Sequence, residues 1–248
     1  MIDKIVEFFN ECKTHSHHEH IKQPPAEFTA WRDDWRTRKA YEDWIGTKSN
    51  CASLRLQIEI PHEAILEEVT KIEHRFIKHR GSMHPGWNSM CIHGVSTETT
   101  NDWRAGEYDF ETKPEMGWCD IADACPVTKD WLQNTFPYSS YDRVRFMLLE
   151  PGGWIKPHQD YDERSLSSAV NIAISQPEGC DFAMEEAGVI PWRAGDVRAI
   201  DIGRPHCVWN NSFKKRIHMI IHGNGTPASG ELMCASYDHL WANRSIEL

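Results

Sequence analysis

The chain has 248 residues, of which 40% are hydrophobic and 26% are charged. This composition is typical of a globular protein with a sizeable buried core. Asp and Glu outnumber Lys and Arg by 37 to 27, and the resulting formal net charge of −10 argues against nucleic-acid binding, which needs a basic surface. The N-terminal segment carries acidic residues and no long apolar run, so we expect no secretory signal. No segment approaches the roughly eighteen consecutive apolar residues of a membrane span, and we expect a cytoplasmic protein.

Eight cysteines are scattered along the chain without a CxxC pair or a zinc-finger spacing. An even count is compatible with disulfides. Because no secretory signal is expected, we predict free thiols in a reducing compartment instead.

The first 80 residues are predicted to be mostly helical. Apolar residues near one helical face predict a short amphipathic helix over residues 2–12. Aromatic residues at helical spacing predict a second helix over residues 26–44. Alternating apolar residues predict a strand over residues 54–60, and a third helix that opens with a proline is predicted over residues 61–78.

From Trp87 onward, short apolar runs alternate with clusters of Gly, Pro, Asn and Asp. Several short strands separated by turns are typical of an all-β sandwich or barrel. The sequence therefore predicts a single domain over residues 1–248. Its parts are a mostly helical portion at 1–80 that packs on the outside, a β core at 87–223 and a C-terminal extension at 224–248.

Three residues in the β region are candidate metal ligands. His158 and Asp160 occur in PGGWIKPHQD, and residues two apart on a strand point to the same face, so both can bind one ion. His206, in GRPHCVWN, supplies a second imidazole from a later strand-like segment. Two imidazoles and one carboxylate leave other coordination positions open, an arrangement typical of non-haem Fe(II) oxygenases.

Arg216, in KKRIHMII, is a candidate for binding a co-substrate. A guanidinium pairs with a carboxylate through two parallel hydrogen bonds, which suits the distal end of 2-oxoglutarate. Considered alone, Arg216 has a serious alternative as a strand-edge arginine in an ordinary ion pair. The alternative for the three metal candidates, polar residues of the core or surface, is the less favoured one. Together, each in or beside a strand-like segment, the four residues favour the functional interpretation.

A second His-x-acid pair, His17 and Glu19, competes with this assignment. It lies in the polar segment THSHHEHIKQPP, which has no strand character to hold ligands rigidly. We interpret this pair as part of a solvated or adventitiously metal-binding tract.

Four segments in the second half of the chain resemble the aspartyl/asparaginyl β-hydroxylase family of Fe(II)/2-oxoglutarate oxygenases: RVRFMLLEPGGWIKPHQD, PEGCDF, GDVRAIDIGRPHCVWNNS and RIHMIIHG. They lie within residues 143–223, about a third of the chain, in the family's order. The resemblance implies a mainly β fold, a double-stranded β-helix (a cupin-like jelly roll) with flanking N-terminal helices. By that resemblance His158, Asp160 and His206 match the iron ligands, and Arg216 matches the arginine that binds the distal carboxylate of 2-oxoglutarate.

Three further positions are compared with the family. Asn171, in AVNIAIS, falls about where the family places a polar side chain against the co-substrate; the alternative is a hydrogen-bonded residue inside the barrel. Met147 stands where some members carry a co-substrate-contacting serine, so that contact is lost here. Asp160 is retained, as in the bacterial free-amino-acid hydroxylases, whereas some animal members have glycine, which leaves the protein-modifying role of the animal enzymes in doubt.

The resemblance implies a hydroxylase of unactivated C–H bonds that uses Fe(II), 2-oxoglutarate and O2, with ascorbate as an aid in vitro. Trp154 and Trp209, near the ligands in sequence, are expected either to shield the site or simply to pack. Arg104 and Arg145 are candidates for binding a substrate carboxylate. A free amino acid or an amino-acid-like small molecule is favoured over a peptide or protein side chain, with no nucleic-acid or membrane partner.

Three alternatives share part of this chemistry. A cupin-like metal enzyme that does not use 2-oxoglutarate shares the barrel and the histidines, but it gives Arg216 no reason to face the metal. A non-catalytic jelly-roll binding protein has no need of an intact metal triad. A nucleic-acid demethylase uses the same iron chemistry, and the acidic net charge weighs against it.

Overall fold

The computed structural model describes residues 2–16, 20–80, 83–101, 114–160, 162–166 and 169–244. Within these ranges no helix combines the length and the apolar character needed to cross a lipid bilayer. All eight cysteines fall within the described ranges, where they are buried and carry free thiols. The prediction of free thiols is confirmed.

The first two helices lie in the predicted region, but the second begins later than expected. Helix α1 spans Ile2–Cys12. A single 3-10 turn covers Ala26–Phe28, and α2 spans Trp35–Thr47. The predicted helix over 26–44 is wrong in its first part, because the Asp34 side chain caps a new helix by accepting a hydrogen bond from the backbone N–H of Thr37 (2.9 Å).

The following strand and helix are both shorter than predicted. Strand β1 spans Ser53–Arg55, because the backbone then leaves the sheet and the N–H of Gln57 donates to Oγ of Ser236 (2.9 Å). Helix α3 spans His62–Lys71. Residues 72–78, predicted as helix, instead turn and enter strand β2, Ile77–Lys78.

The β region contains the predicted strands and one helix that the sequence analysis did not identify. Strand β3 spans Trp87–Gly94 and β4 spans Gly117–Trp118. Helix α4, Pro126–Asn134, begins with a proline. Proline is favoured at this position because the first N–H groups of a helix have no partner within the helix, so the N–H that proline lacks is not needed there. The remaining strands are β5 Tyr138–Leu149, β6 Trp154–His158, β7 Ala169–Ser175, β8 Cys180–Met184, β9 Gly188–Val189, β10 Val197–Ile200, β11 His206–Asn210 and β12 Arg216–Gly225.

Two antiparallel sheets form the core. The major sheet has the strand order β1-β10-β7-β12-β5-β3-β2, with β4 beside β3, and the minor sheet has the order β6-β11-β8-β9. From β5 to β12 the chain passes back and forth between the two sheets, interrupted only by the β8–β9 hairpin. This is the connectivity of a double-stranded β-helix, so the predicted fold class, a mainly β jelly roll with flanking N-terminal helices, is confirmed.

The helices cover the outer faces of the two sheets. Helix α1 packs on the minor sheet, where Ile5 and Phe9 join the apolar cluster that contains Trp154. Helices α2 and α3 and the C-terminal helix α5, Pro227–Asn243, lie on the major-sheet side. Helix α5 forms within the predicted C-terminal extension and buries Tyr237 completely. A separate apolar cluster and a cavity lie between the inner faces of the two sheets.

Candidate active site

The register of the minor sheet brings two histidines together. Strands β6 and β11 are antiparallel neighbours, and His158 is paired directly with His206. Their ring centroids lie 4.3 Å apart. Asp160 lies just beyond the end of β6, where its backbone N–H donates to the carbonyl oxygen of Ile202 (2.9 Å). Oδ1 of Asp160 lies 3.8 Å from Nε2 of His158, and Oδ2 lies 4.0 Å from Nε2 of His206.

Each imidazole is oriented by a hydrogen bond from its other nitrogen. Nδ1 of His158 lies 2.8 Å from the carbonyl oxygen of Lys156, and Nδ1 of His206 lies 2.8 Å from that of Arg204. A carbonyl oxygen only accepts, so each Nδ1 carries the proton and each Nε2 has a lone pair for a metal ion. Burial, with a smaller contribution from neighbouring His158, lowers the pKa of His206 to about 4, which keeps this imidazole in its ligating neutral form.

The donor set fits Fe(II). One ligand atom from each of His158, Asp160 and His206 lies within 4.8 Å of the others, the one such group among the residues that the structure describes. Imidazole nitrogens bind metal ions at about 2.0–2.1 Å, so binding requires the three side chains to draw slightly together. The Asp160 side chain is 28% exposed and has room to turn. Two imidazoles and a carboxylate with open positions beside them suit a non-haem iron.

A cavity of about 210 Å³ lies between the sheets, with all three of these residues in its wall. Four arginines also line it: Arg80, Arg143, Arg145 and Arg216. Asp160 is the one carboxylate among the lining residues. The cavity is therefore cationic, although the chain as a whole carries a formal net charge of −10. Such a site favours anionic ligands.

Arg216 begins β12 and is 3% exposed. Its Nη2 lies 2.8 Å from Nδ1 of His218, and its Nε has no hydrogen-bond partner among the described residues. None of the described carboxylates forms a salt bridge with it, so its buried charge is uncompensated by the protein that the structure describes. Burial lowers the pKa of Arg216 to about 10, and the guanidinium remains charged at neutral pH.

Asn171 and Met147 lie in the same cavity wall. Asn171 is 9% exposed on β7, and its side-chain amide lies 2.8 Å from Nδ1 of His218. Met147 is buried on β5, and its thioether has no hydroxyl with which to bind a carboxylate.

Arg145 is the second buried arginine of the cavity, at 7% exposed. Its Nη1 donates to the carbonyl oxygen of Thr100 (2.8 Å), and its Nε has no hydrogen-bond partner among the described residues. Burial, and then the charge of neighbouring Arg143, lowers the pKa of Arg145 to about 9. The other candidate for a substrate carboxylate, Arg104, lies outside the described residues, as do His17 and Glu19.

Trp154 and Trp209 do not shield the cavity. They are paired across β6 and β11 and belong to the cluster under α1, on the outer face of the minor sheet. Successive strand residues point to opposite faces, and Ile155 and Val208, their chain neighbours, are the ones that line the cavity. The alternative role in packing is the correct one.

The sequence analysis missed two histidines of β12 that share a face with Arg216. His218 contacts both Arg216 and Asn171, and His222 lines the cavity. The strand predicted over RIHMIIHG already implied this arrangement, because residues 216, 218, 220 and 222 are spaced two apart and therefore lie on one face of the strand. Nη1 of Arg80 lies 3.6 Å from a carboxylate oxygen of Asp160. The sequence does not place Arg80 near the site, because this residue belongs to a loop without strand periodicity.

The family model described as aspartyl/asparaginyl beta-hydroxylase matches residues 57–224, more than half of the chain. This match extends well beyond the segments that carried the resemblance in the sequence. No curated protein sequence matches the chain significantly.

Several solved structures are similar to the chain at low identity. A prolyl hydroxylase from Trichoplax adhaerens, in complex with a hypoxia-inducible-factor peptide fragment, is 9% identical with a TM-score of 0.47, covering 83% of this chain and 97% of that chain. A prolyl-4-hydroxylase from Pseudomonas putida is 13% identical with a TM-score of 0.44, covering 76% and 100%. A 2OG-Fe(II) oxygenase from Burkholderia pseudomallei is 11% identical with a TM-score of 0.44, covering 77% and 93%.

Because these identities and TM-scores are low, the assignment rests on the sequence match to the family model and not on the structural likeness. The matched residues include both strands that carry the paired histidines and all but the last residue of the strand that begins with Arg216. The chain belongs to the aspartyl/asparaginyl β-hydroxylase family and is an Fe(II)- and 2-oxoglutarate-dependent dioxygenase that uses O2.

Proposed function

We propose that the chain hydroxylates an unactivated C–H bond of a free amino acid or an amino-acid-like small molecule, with His158, Asp160 and His206 holding the iron. One observation carries this proposal: the three candidate ligands share a small cavity with two buried arginines that have no acidic partner among the described residues. Iron bound there supplies the oxidising chemistry, coupled to decarboxylation of 2-oxoglutarate.

Arg216 binds the distal carboxylate of 2-oxoglutarate in this proposal. His218 is contacted by Nη2, which has two N–H bonds, and Nε has no hydrogen-bond partner among the described residues, so N–H donors of the guanidinium remain for a ligand. Two parallel N–H donors fit the two oxygens of a carboxylate. Because the site is buried, the pairing is screened less by water than a surface ion pair, and Asn171 adds a polar side chain beside it.

Arg145 binds a carboxylate of the substrate. It lines the same cavity from β5, and an anion there would compensate a buried charge that no described carboxylate neutralises. The volume of about 210 Å³ is below the roughly 300–1,000 Å³ typical of sites for drug-sized ligands. A small acid beside 2-oxoglutarate suits this volume better than an extended peptide.

A substrate screen tests the proposal. Purified chain with Fe(II), ascorbate and 2-oxoglutarate is incubated with free amino acids and with short peptides that contain the same residues. We expect a free amino acid to stimulate succinate release and to gain the mass of one oxygen atom. Stimulation by peptides alone would reject the small-molecule substrate, and turnover that does not need 2-oxoglutarate would favour the cupin-like alternative.

The co-substrate assignment is tested with substitutions of one arginine. Arg216→Met removes the charge at nearly the same volume, whereas Arg216→Lys keeps the charge but loses the paired donors. We expect the apparent KM for 2-oxoglutarate to rise strongly in the first and less in the second, while the Fe(II) requirement stays unchanged. Arg36→Met, on the exposed surface of α2, is the matched control. An unchanged KM in Arg216→Met would contradict the assignment.

A further inference from the structure

His218 lies behind the proposed co-substrate site and contacts three polar side chains. It is on β12, fully buried, with Nδ1 2.8 Å from Nη2 of Arg216 and 2.8 Å from Oδ1 of Asn171. Its Nε2 lies 2.8 Å from Oε1 of Gln176. The ring of Trp192 packs against it with the centroids 4.8 Å apart. The imidazole is therefore held in place on both of its nitrogens.

The direction of these hydrogen bonds follows from Gln176. The amide nitrogen of Gln176 donates to the carbonyl oxygen of Cys180, which only accepts, so the amide oxygen is the atom that faces His218. That oxygen requires a proton on Nε2 of His218. On the other side Arg216 only donates, so Nδ1 must carry a lone pair. Burial and the charge of Arg216 keep the pKa of His218 well below its usual value, so the ring is neutral.

This polarity determines how Asn171 is oriented. An amide oxygen facing the lone pair of Nδ1 would be repelled, whereas an amide nitrogen would donate to it. The oxygen and nitrogen of an amide exchange places by a half-turn of the side chain and are distinguished by their hydrogen-bond partners. The structure places Oδ1 of Asn171 nearest to Nδ1, and we infer the half-turned amide, in which the NH2 group faces His218. One of its two N–H bonds is directed to the imidazole, and the other is left for an acceptor in the cavity.

We propose that His218 is a positioning residue, which as the neutral Nε2–H tautomer fixes the guanidinium of Arg216 and the amide NH2 of Asn171 as donors to one carboxylate of 2-oxoglutarate. This inference rests on the proposed role of Arg216. A carboxylate in place of His218 would also hold the guanidinium, but it would neutralise the charge that the co-substrate needs. A neutral acceptor orients the arginine and leaves its charge available.

Direct binding measurements test the proposal without turnover. The chain is loaded with Mn(II) in place of iron, and 2-oxoglutarate binding is measured by titration calorimetry for wild type, His218→Phe and His218→Asn. Phe keeps the ring shape but has no acceptor, whereas the side chain of Asn places a hydrogen-bonding group near the position of Nδ1. We expect the affinity for 2-oxoglutarate to fall about tenfold in His218→Phe and to recover in large part in His218→Asn.

Mn(II) affinity separates positioning from general structural support. We expect it to be unchanged in both variants, because His218 does not contact the triad. A parallel loss of Mn(II) and 2-oxoglutarate affinity, or full 2-oxoglutarate affinity in His218→Phe, would overturn the inference. Wild-type protein that fails to bind 2-oxoglutarate would reject the proposed function itself, so the two failures are distinguishable.

The tautomer is measured on wild-type protein, and the His218→Asn variant serves only to assign the signals. Long-range ¹H–¹⁵N NMR correlations distinguish protonated from unprotonated imidazole nitrogens, and the His218→Asn spectrum identifies the signals that belong to His218. We expect an unprotonated Nδ1 and a protonated Nε2. A proton on Nδ1 would reverse the direction of the network and refute the proposal.

Discussion

At the scale of single residues, the uncompensated charge of Arg145 and Arg216 is the most informative feature. Burying a charged group without a partner costs several kcal/mol, and neither guanidinium forms a salt bridge with a described carboxylate. Other buried arginines have acidic partners: Arg204 pairs with Asp201 at 3.0 Å, and Arg198 pairs with Asp196 at 3.2 Å. The contrast supports the proposal that anionic ligands pair with the two cavity arginines.

Arg145→Met tests the proposed substrate site. The substitution keeps a side chain of similar length and removes the charged donors. We expect the KM for the amino-acid substrate to rise at least about tenfold, because hydrogen bonds to charged groups contribute about 1.5–3 kcal/mol. The KM for 2-oxoglutarate should change much less. If the requirement for 2-oxoglutarate rises instead, Arg145 and not Arg216 binds the co-substrate.

His206→Ala tests the metal site. The side chain is 6% exposed and its Nε2 faces Asp160, so we expect Fe(II) binding and turnover to be lost while the far-ultraviolet circular dichroism spectrum stays that of wild type. Anaerobic titration with Fe(II) measures the binding. His239→Ala, on the exposed surface of α5, controls for the removal of one imidazole. Tight Fe(II) binding by His206→Ala would exclude this residue as a ligand.

At the scale of secondary structure, the sequence predicted strands better than helix boundaries. Strands β7, β11 and β12 were visible because alternation and turn residues are local signals. The start of α2 was missed because aromatic spacing continues across the cap at Asp34. The end of β1 depends on a hydrogen bond from Gln57 to Ser236, 179 residues away in sequence, and no local pattern reports such a contact.

In the candidate site, too, local motifs could be identified from the sequence, whereas contacts between distant segments could not. The candidate metal ligands and Arg216 were identified from the sequence because each lies in a distinctive motif. The anchoring of Arg216 by His218, and of His218 by Gln176, required the folded structure, since it depends on the pairing of β12 with β7. The burial of Arg145 likewise depends on the loop that supplies the carbonyl oxygen of Thr100.

Phe9→Ala tests the attachment of α1. The ring is 3% exposed and packs edge-on against Trp209, with centroids 6.2 Å apart. We expect the free energy of unfolding to fall by about 3–5 kcal/mol, as for other buried aromatic truncations. Turnover by the folded fraction should persist, because α1 lies on the face of the minor sheet opposite the cavity. Phe8→Ala, at a half-buried position, should cost less; an equal or larger loss would contradict this packing.

At the scale of the whole molecule, several histidines are held neutral by burial. Burial lowers the pKa of His79 to about 2 and that of His84 to about 4, and it also lowers the pKa of His93 and His218. In the unfolded chain each of these side chains would have a pKa near 6.5. Below that pH the unfolded chain therefore takes up protons that the native protein does not, and stability increases with pH over this range.

Stability measured against pH tests this expectation. Each such histidine should reduce the free energy of unfolding by about 1.4 kcal/mol per pH unit below 6.5, until its folded pKa is reached. For metal-free protein at constant ionic strength, we expect urea unfolding to show a loss of at least about 2 kcal/mol between roughly pH 7.5 and pH 5.5. Equal stability at the two pH values would mean that these histidines are protonated in the native state.

With His158 and His206 as the proposed iron ligands, their pairing across β6 and β11 makes metal retention depend on the correct alignment of these strands. Sliding one strand by a single residue would turn its histidine to the opposite face, toward α1, and no ion could then be chelated by both rings. The ion is thus retained only by molecules whose minor sheet has formed in the native alignment. Under this proposal, the iron content of a purified sample would report the fraction of molecules with the native strand alignment.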